Sequence, residues 1–223
     1  MPAMHLIGDD YTTFWDPSGA VDGQGIFDHY DLRGRGWERP FNFELHFPDG
    51  SPSEALGAGL RYAGHGDRPE FFREEKLWDY PYARPQINLF FRGEYGSPSW
   101  DHDLFSGLSE VTCHDSLRVR LDRGLIDEFI RRLWVDMGNH GSVGTLANLY
   151  INGVLRTVVN PVQRIREPLL QEWYDTGDGF DVLSIFDFPS GDESEYRALE
   201  DSFEDSANDF TQLEKYLEGG ERL

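Results

Sequence analysis

Histidine and aspartate recur together at three places in the chain, and this pattern is the one that most resembles a metal site. The three segments are DHYD at 28–31, HGD at 65–67 and DHD at 101–103. In an extended segment Asp101 and Asp103 would share one face, as ligands of a hard cation must. His29 or His65 would supply a further ligand from elsewhere in the chain. However, a chain with 41 acidic residues produces such neighbours by chance, so we expect no metal ion and no other cofactor.

A second candidate is the tripeptide Cys113-His114-Asp115, which reads as a nucleophile, a base and an orienting acid in order. Adjacent residues on a strand point to opposite faces, so these three cannot hydrogen-bond to one another in sequence. Catalytic triads are assembled from distant positions. Cys113 is also the only cysteine, which excludes a disulfide within the chain and a thiolate zinc cluster. We therefore expect an inert, part-buried thiol and no catalytic residue.

The glycine-rich segment 138–144, GNHGSVG, has glycines three residues apart. A phosphate-binding loop leaves a strand and opens a helix. This segment instead follows a predicted helix and enters a predicted hairpin, so it is interpreted as an ordinary connection. With no other catalytic motif in the chain, we expect a protein that is not an enzyme.

The charge of the chain limits its partners. The formal net charge is −21 over 223 residues. Residues 1–115 hold 20 acidic and 9 basic residues, net −11, and residues 171–223 hold 16 and 3, net −13. Residues 116–170 hold 5 acidic and 8 basic residues, net +3. Phosphates are repelled by such a field, so direct binding of nucleic acid or of an anionic membrane is not expected, and a basic protein partner is.

The most distinctive element is a predicted acidic helix over residues 192–218. It contains 10 acidic residues against two basic ones, and leucine, phenylalanine and alanine form a stripe along one side. We expect the stripe to dock on the rest of the protein and the acids to face the partner. The acids in the middle of the helix are the predicted partner-binding residues: Glu200, Asp201, Glu204, Asp205 and Asp209.

The remaining elements predict an α+β fold in a single domain, 1–223. Residues 1–121 are read as an antiparallel β-rich body of one or two sheets, with strands over 4–7, 11–15, 25–32, 41–47, 59–63, 86–92 and 116–121. Apolar residues at helical spacing predict a central helix over 123–137, packed on that body. Asn152-Gly153 predicts a hairpin over 146–159, and the apolar run at 180–186 predicts a buried strand.

These features favour a cytoplasmic, non-enzymatic binding protein that inhibits or neutralises a basic partner. The profile of a small, very acidic protein without catalytic motifs is that of immunity proteins and of inhibitors of enzymes that handle nucleic acids. One alternative is a viral or phage structural or accessory protein, suggested by aromatic strands with Gly and Pro turns. A second alternative is a metal-dependent hydrolase that uses the His/Asp segments. The sequence does not fix an oligomeric state.

Overall fold

The computed structural model describes residues 1–14, 24–27, 34–50, 54–63, 86–102, 104–105, 107–109, 112–120, 125–177, 179–184 and 187–205. Contacts divide the chain into two compact units, Met1–Arg164 and Ile165–Leu223. Each unit is described by itself.

A closed barrel of seven strands forms the first unit. The strands are β1 (Ala3–Ile7), β2 (Arg39–His46), β3 (Glu54–Tyr62), β4 (Gln86–Phe90), β7 (Ser116–Arg120), β8 (Ala147–Ile151) and β9 (Val154–Gln163). Their order around the barrel is β1-β2-β3-β4-β7-β9-β8. All neighbours are antiparallel except β1 and β8, which pair in parallel and close the barrel. The fold is therefore β-rich as predicted, and the strands within residues 1–121 pair antiparallel as predicted. The parallel pairing joins β1 to the first strand of the predicted hairpin, a contact that the sequence analysis did not include.

The barrel interior is filled by every second side chain of its strands. In β2, Phe41, Phe43 and Leu45 are buried, and the residues between them face outward, as the alternation in the sequence predicted. The two-residue strands β5 (Trp100–Asp101) and β6 (Cys113–His114) pair with each other beside this body. Trp100 brings its ring against Phe43 and extends the core.

The predicted Asn-Gly hairpin is confirmed between β8 and β9. Asn152 and Gly153 have φ values of 49° and 78°, which suits the positive φ that a type I′ turn requires. Asn152 also exchanges two hydrogen bonds with the backbone of Gly8, at 3.0 and 2.9 Å. The turn thus fastens the end of β1 as well as joining its own strands.

One predicted strand of the first unit is helical in the structure. Residues 11–15 were expected to be extended, but Asp10–Phe14 forms a single π-helical turn. The cause is Asp9, whose Oδ1 accepts from the backbone nitrogen and the hydroxyl of Thr12 at 2.8 and 3.0 Å. An Asp side chain that captures the following amide groups favours a helical start over a strand.

The helix α1 (Leu125–Asp136) lies within the predicted range 123–137. Gly138 follows it with a φ of 87°, the left-handed conformation common just after a helix. The helix contacts the barrel as expected, although through the face opposite to the apolar one, as described below.

The described residues of the second unit form four short elements. They are α2 (Glu167–Trp173), β10 (Val182–Ser184), β11 (Asp187–Ser190) and α3 (Ser194–Asp205). β10 lies within the predicted strand 180–186 and pairs with β11, yet Leu183 is exposed rather than buried. α3 covers the first part of the predicted helix 192–218; residues 206–218 lie outside the described residues.

Candidate interaction surface

α1 is attached to the barrel by a buried cluster of charged and polar groups. Glu128, 6% exposed, accepts hydrogen bonds from Arg131 at 2.7 Å and from Arg132 at 2.8 Å. On the barrel side it accepts from the Asn160 amide at 3.1 Å and from the Gly144 backbone nitrogen at 3.2 Å. One carboxylate therefore ties two turns of the helix to β9 and to the segment before β8.

The Glu128 carboxylate is stabilised in its ionised form, and the cluster leaves no room for extra atoms. Burial pushes the pKa of Glu128 upward, but hydrogen bonds from Arg132, Arg131 and Asn160 outweigh it and hold the pKa below its usual value. A Cβ atom at Gly144 would lie 2.6 Å from Glu128 Oε2 and 2.8 Å from the Pro161 carbonyl oxygen. The contact therefore requires glycine at that position.

The opposite face of α1 is apolar and exposed. Its large side chains are 48–67% exposed, and they are Ile126, Phe129, Ile130, Leu133, Trp134 and Met137. Helical spacing places them on one stripe, with Glu128, Arg131 and Arg132 on the other side. We call this stripe the α1 apolar face. A helix in a globular protein ordinarily buries such a stripe, so the orientation of α1 is inverted.

The α1 apolar face is large enough to be an interface. If each of its six side chains has roughly 200 Å² of surface, the exposed part comes to about 700 Å². The largest apolar patch of a typical monomer is ~300–600 Å², and each partner in a standard protein–protein interface contributes ~800 Å². Val158, exposed and two residues from Asn160 on the same side of β9, adds to the apolar surface near the helix.

Sequence reasoning found this helix but missed which side of it meets the barrel. Periodicity shows that a helix is amphipathic, but it does not show which face packs on the rest of the protein. The signal that was available is the spacing of Glu128, Arg131 and Arg132 at i, i+3 and i+4, which pairs the charges with one another. It gave no indication of Asn160, whose amide completes the cluster from 32 positions further along.

The predicted partner-binding acids lie partly within α3. Glu200 and Asp201 are exposed there. Glu204 and Asp205 are in the helix by their backbone, and Asp209 lies outside the described residues. Asp192 caps the start of α3: its Oδ1 accepts from the Ser194 backbone nitrogen at 2.7 Å. The contact of these acids with a partner stays a prediction.

The structure describes one of the four candidate metal ligands, Asp101, which is exposed. Asp103, His29 and His65 lie outside the described residues. Within the part of the chain that is described, no three His, Cys, Asp or Glu residues come together in a group that could hold a metal ion. The metal site stays a prediction.

Cys113 and His114 point in opposite directions, as expected of neighbours on a strand. Cys113 is exposed, so the expectation of a part-buried thiol was wrong. Its side chain lies on the face of β6 opposite to that of the buried His114. His114 is 5% exposed, and burial lowers its pKa to about 4. A neutral imidazole facing away from the thiol gives Cys113 no base.

Among the described residues, no helix combines the length and the apolar character that crossing a bilayer requires. No protein-family model matches this sequence, and a search of the curated proteins found no relative.

Proposed function

We propose that this protein is a non-enzymatic binding protein that docks a basic protein partner on the α1 apolar face. The observation that carries the proposal is the inverted helix: α1 buries its charges against the barrel and leaves six large apolar side chains in solvent. Leaving such a stripe exposed forgoes roughly 25 cal/mol for each Å² of apolar surface. A partner that covers it recovers this free energy.

The anchor beneath the helix makes α1 suitable for recognition. Four donors converge on Glu128, so the orientation of the helix is fixed before any partner arrives. A preformed surface loses less conformational entropy on binding than a flexible one. Phe129 and Trp134 belong to the aromatic residues that are enriched among the energetically dominant residues of interfaces.

The chemistry of the partner follows from the charge of the chain. With a net charge of −21, the field of the protein attracts basic proteins and repels acidic ones. The predicted acidic helix 192–218, with Glu200, Asp201, Glu204, Asp205 and Asp209, adds to this field, since it holds 10 acidic residues against two basic ones. A second copy of the chain is a weaker candidate, since its own −21 charge opposes association.

A pair of defined peptides tests this proposal. One helical peptide carries leucine on one face and lysine on the other. A second peptide is identical except that glutamate replaces each lysine. Binding is followed by the emission of Trp134, which is half-exposed and will shift to shorter wavelength when covered; Trp134→Phe identifies the signal. We expect the basic peptide to bind and the acidic peptide not to bind.

A matched pair of variants locates the binding. Ile130→Glu places a charge in the middle of the α1 apolar face and should remove binding. Leu155→Glu changes an equally exposed apolar residue on β9, five residues from the anchor at Asn160, and should leave binding unchanged. Equal binding of both peptides, or an Ile130→Glu variant that binds normally, would refute the proposal. Dimerisation that Ile130→Glu abolishes, seen by sedimentation equilibrium, would replace the basic partner with a second copy.

The contribution of the acidic helix is measured separately. Replacing its five central acids by lysine changes the net charge from −21 to −11, because each replacement changes the charge by two. If these acids steer the partner, the association rate of the basic peptide falls and becomes less sensitive to salt. An unchanged rate at low and at physiological salt would show that the acids play no part, while the α1 apolar face would keep its role.

A further inference from the structure

An arginine-rich region crosses the outer side of the barrel on β3, β4 and β7. The strand register aligns Arg61 with Asn88 and Asn88 with Arg118. On each strand, the residues directly before and after this position are buried in the core. Arg61, Asn88 and Arg118 therefore lie on the outside of the barrel. Arg120 lies two residues from Arg118 on the same face. In a chain with a net charge of −21, such a concentration of positive charge is unexpected.

Most of the arginines near this row have a carboxylate partner. Arg92 forms two hydrogen bonds of 3.0 Å with the buried carboxylate of Glu38, and Arg61 lies 4.0 Å from the same group. Arg120 pairs with Asp127 at 3.0 Å. The guanidinium groups of Arg61 and Arg92 also lie 4.9 Å from the centre of the Phe90 ring.

Arg118 differs from these arginines. Its Nε donates to Oδ1 of Asn88 at 3.2 Å, and within the described part of the chain no carboxylate lies within ion-pair distance of it. Burial lowers the pKa of Arg118, and the neighbouring charges of Arg120 and Arg61 lower it further. An arginine does not lose its proton in a protein. A part-buried guanidinium among like charges therefore favours an anion.

Asn88 supplies a second donor at the same place. Asn88 is 4% exposed, and its side-chain oxygen already accepts a hydrogen bond from Arg118. The amide nitrogen carries two N–H donors beside the guanidinium of Arg118. A ligand that accepts hydrogen bonds fits this position.

We propose that this outer face binds a small phosphate-bearing ligand, held by the terminal nitrogens of Arg118 and the amide of Asn88, with Arg61 and Arg120 on either side. The Cα atoms of Arg61 and Arg118 are two strands apart, roughly 9.5 Å, so both side chains can reach one tetrahedral group above Asn88. A phosphate dianion offers several acceptor oxygens and matches the arginine fork. The net charge of the chain excludes long polyanions and limits the ligand to a small one.

The test uses inorganic phosphate at constant pH and ionic strength, with chloride as the reference anion. Phosphate should raise the melting temperature of the wild-type protein and bind in a calorimetric titration. Arg118→Gln should weaken binding at least tenfold. Arg35→Gln is the matched control, because Arg35 is an exposed arginine paired with Glu94, and it should bind phosphate normally.

A second variant keeps the proposal falsifiable if Arg118→Gln proves unstable. Arg118→Lys keeps the charge but loses the fork, so it should fold and bind phosphate several-fold more weakly. A wild-type protein that responds equally to phosphate and chloride, or an Arg118→Lys variant with unchanged affinity, overturns the proposal.

Further binding measurements distinguish which kind of molecule carries the phosphate group. A nucleoside monophosphate that binds more tightly than inorganic phosphate, with the same dependence on Arg118, would support a soluble small molecule and extend the site beyond the phosphate group. Phosphatidylcholine vesicles with and without phosphatidic acid test a lipid headgroup. Binding to the acidic vesicles or to single-stranded DNA, without binding of free phosphate, would overturn the assignment of a small ligand.

Discussion

Removal of the Glu128 carboxylate is the most direct perturbation of the inverted helix. Glu128→Ala leaves Arg131, Arg132 and the Asn160 amide without their shared acceptor. Breaking a buried ion pair by removing one partner costs ~3–5 kcal/mol. Because 43% of the Arg132 side chain is exposed, water restores part of its solvation, and we expect the lower end of that range, about 3 kcal/mol.

The measurement is urea unfolding followed by far-UV circular dichroism and tryptophan fluorescence, together with thermal melting. For a unit of this size, about 3 kcal/mol corresponds to a fall in melting temperature of roughly 6–12 °C. Glu128→Gln keeps an acceptor oxygen and should lose about half as much stability as the alanine variant, ~1.5 kcal/mol. A variant Glu128→Ala that unfolds within about 1 kcal/mol of wild type would refute the anchoring role.

Asp136→Ala is the control on the same helix. Asp136 is exposed and lies at the C-terminal end of α1, where a negative charge opposes the helix dipole. Its removal should leave stability unchanged or slightly raised. If Asp136→Ala destabilised as strongly as Glu128→Ala, the loss would reflect a general sensitivity of the helix and not the buried cluster.

Three other predictions concern single positions. Gly144→Ala should destabilise the protein in urea unfolding, since its Cβ would lie 2.6 Å from a Glu128 oxygen; an unaffected variant would contradict the tight contact. The pKa of His114 is lowered to about 4 in the folded protein against ~6.5 unfolded, so the unfolded chain binds more protons between these values and stability falls as pH drops from about 6.5 to 4, by on the order of 3 kcal/mol. His114→Phe should flatten this part of the stability–pH profile, and an unchanged slope would show that another group is responsible. Cys113 should react with a thiol reagent in the folded protein, because it is exposed, and the labelled protein should melt at the same temperature; labelling that requires unfolding would contradict its position.

The local elements were predictable from the sequence because their causes are local. The alternation of Phe41, Phe43 and Leu45 follows from the two-residue period of a strand that has one side in the core. Asn152-Gly153 determines a turn by its own backbone preferences. Even so, the turn at 10–14 was missed, because a capping interaction of Asp9 outweighed an extended-looking pattern.

The candidate surface was not predictable, because it depends on contacts between distant parts of the chain. Whether Glu128 faces solvent or the barrel is decided by Gly144 and Asn160, and neither has a sequence pattern that points to α1. The same holds for Arg118, whose neighbours Asn88 and Arg61 come from other strands. The acidic composition led to a predicted partner site on the C-terminal helix. The surfaces proposed from the structure instead include α1 and Arg118, which belong to the basic segment 116–170.

The parallel pairing of β1 with β8 has a consequence for how the chain is made. Leu6 pairs with Ile151, so β1 leaves the ribosome long before its partner exists. At ~5–20 residues per second, synthesis of the intervening segment takes roughly 7–30 s, during which one edge of β1 has no strand to pair with. An unpaired edge is a template for association with other chains. The nascent protein can therefore associate with other chains through the β1 edge until β8 and its Asn152 turn emerge. We expect chaperones to bind the nascent chain mainly during that interval.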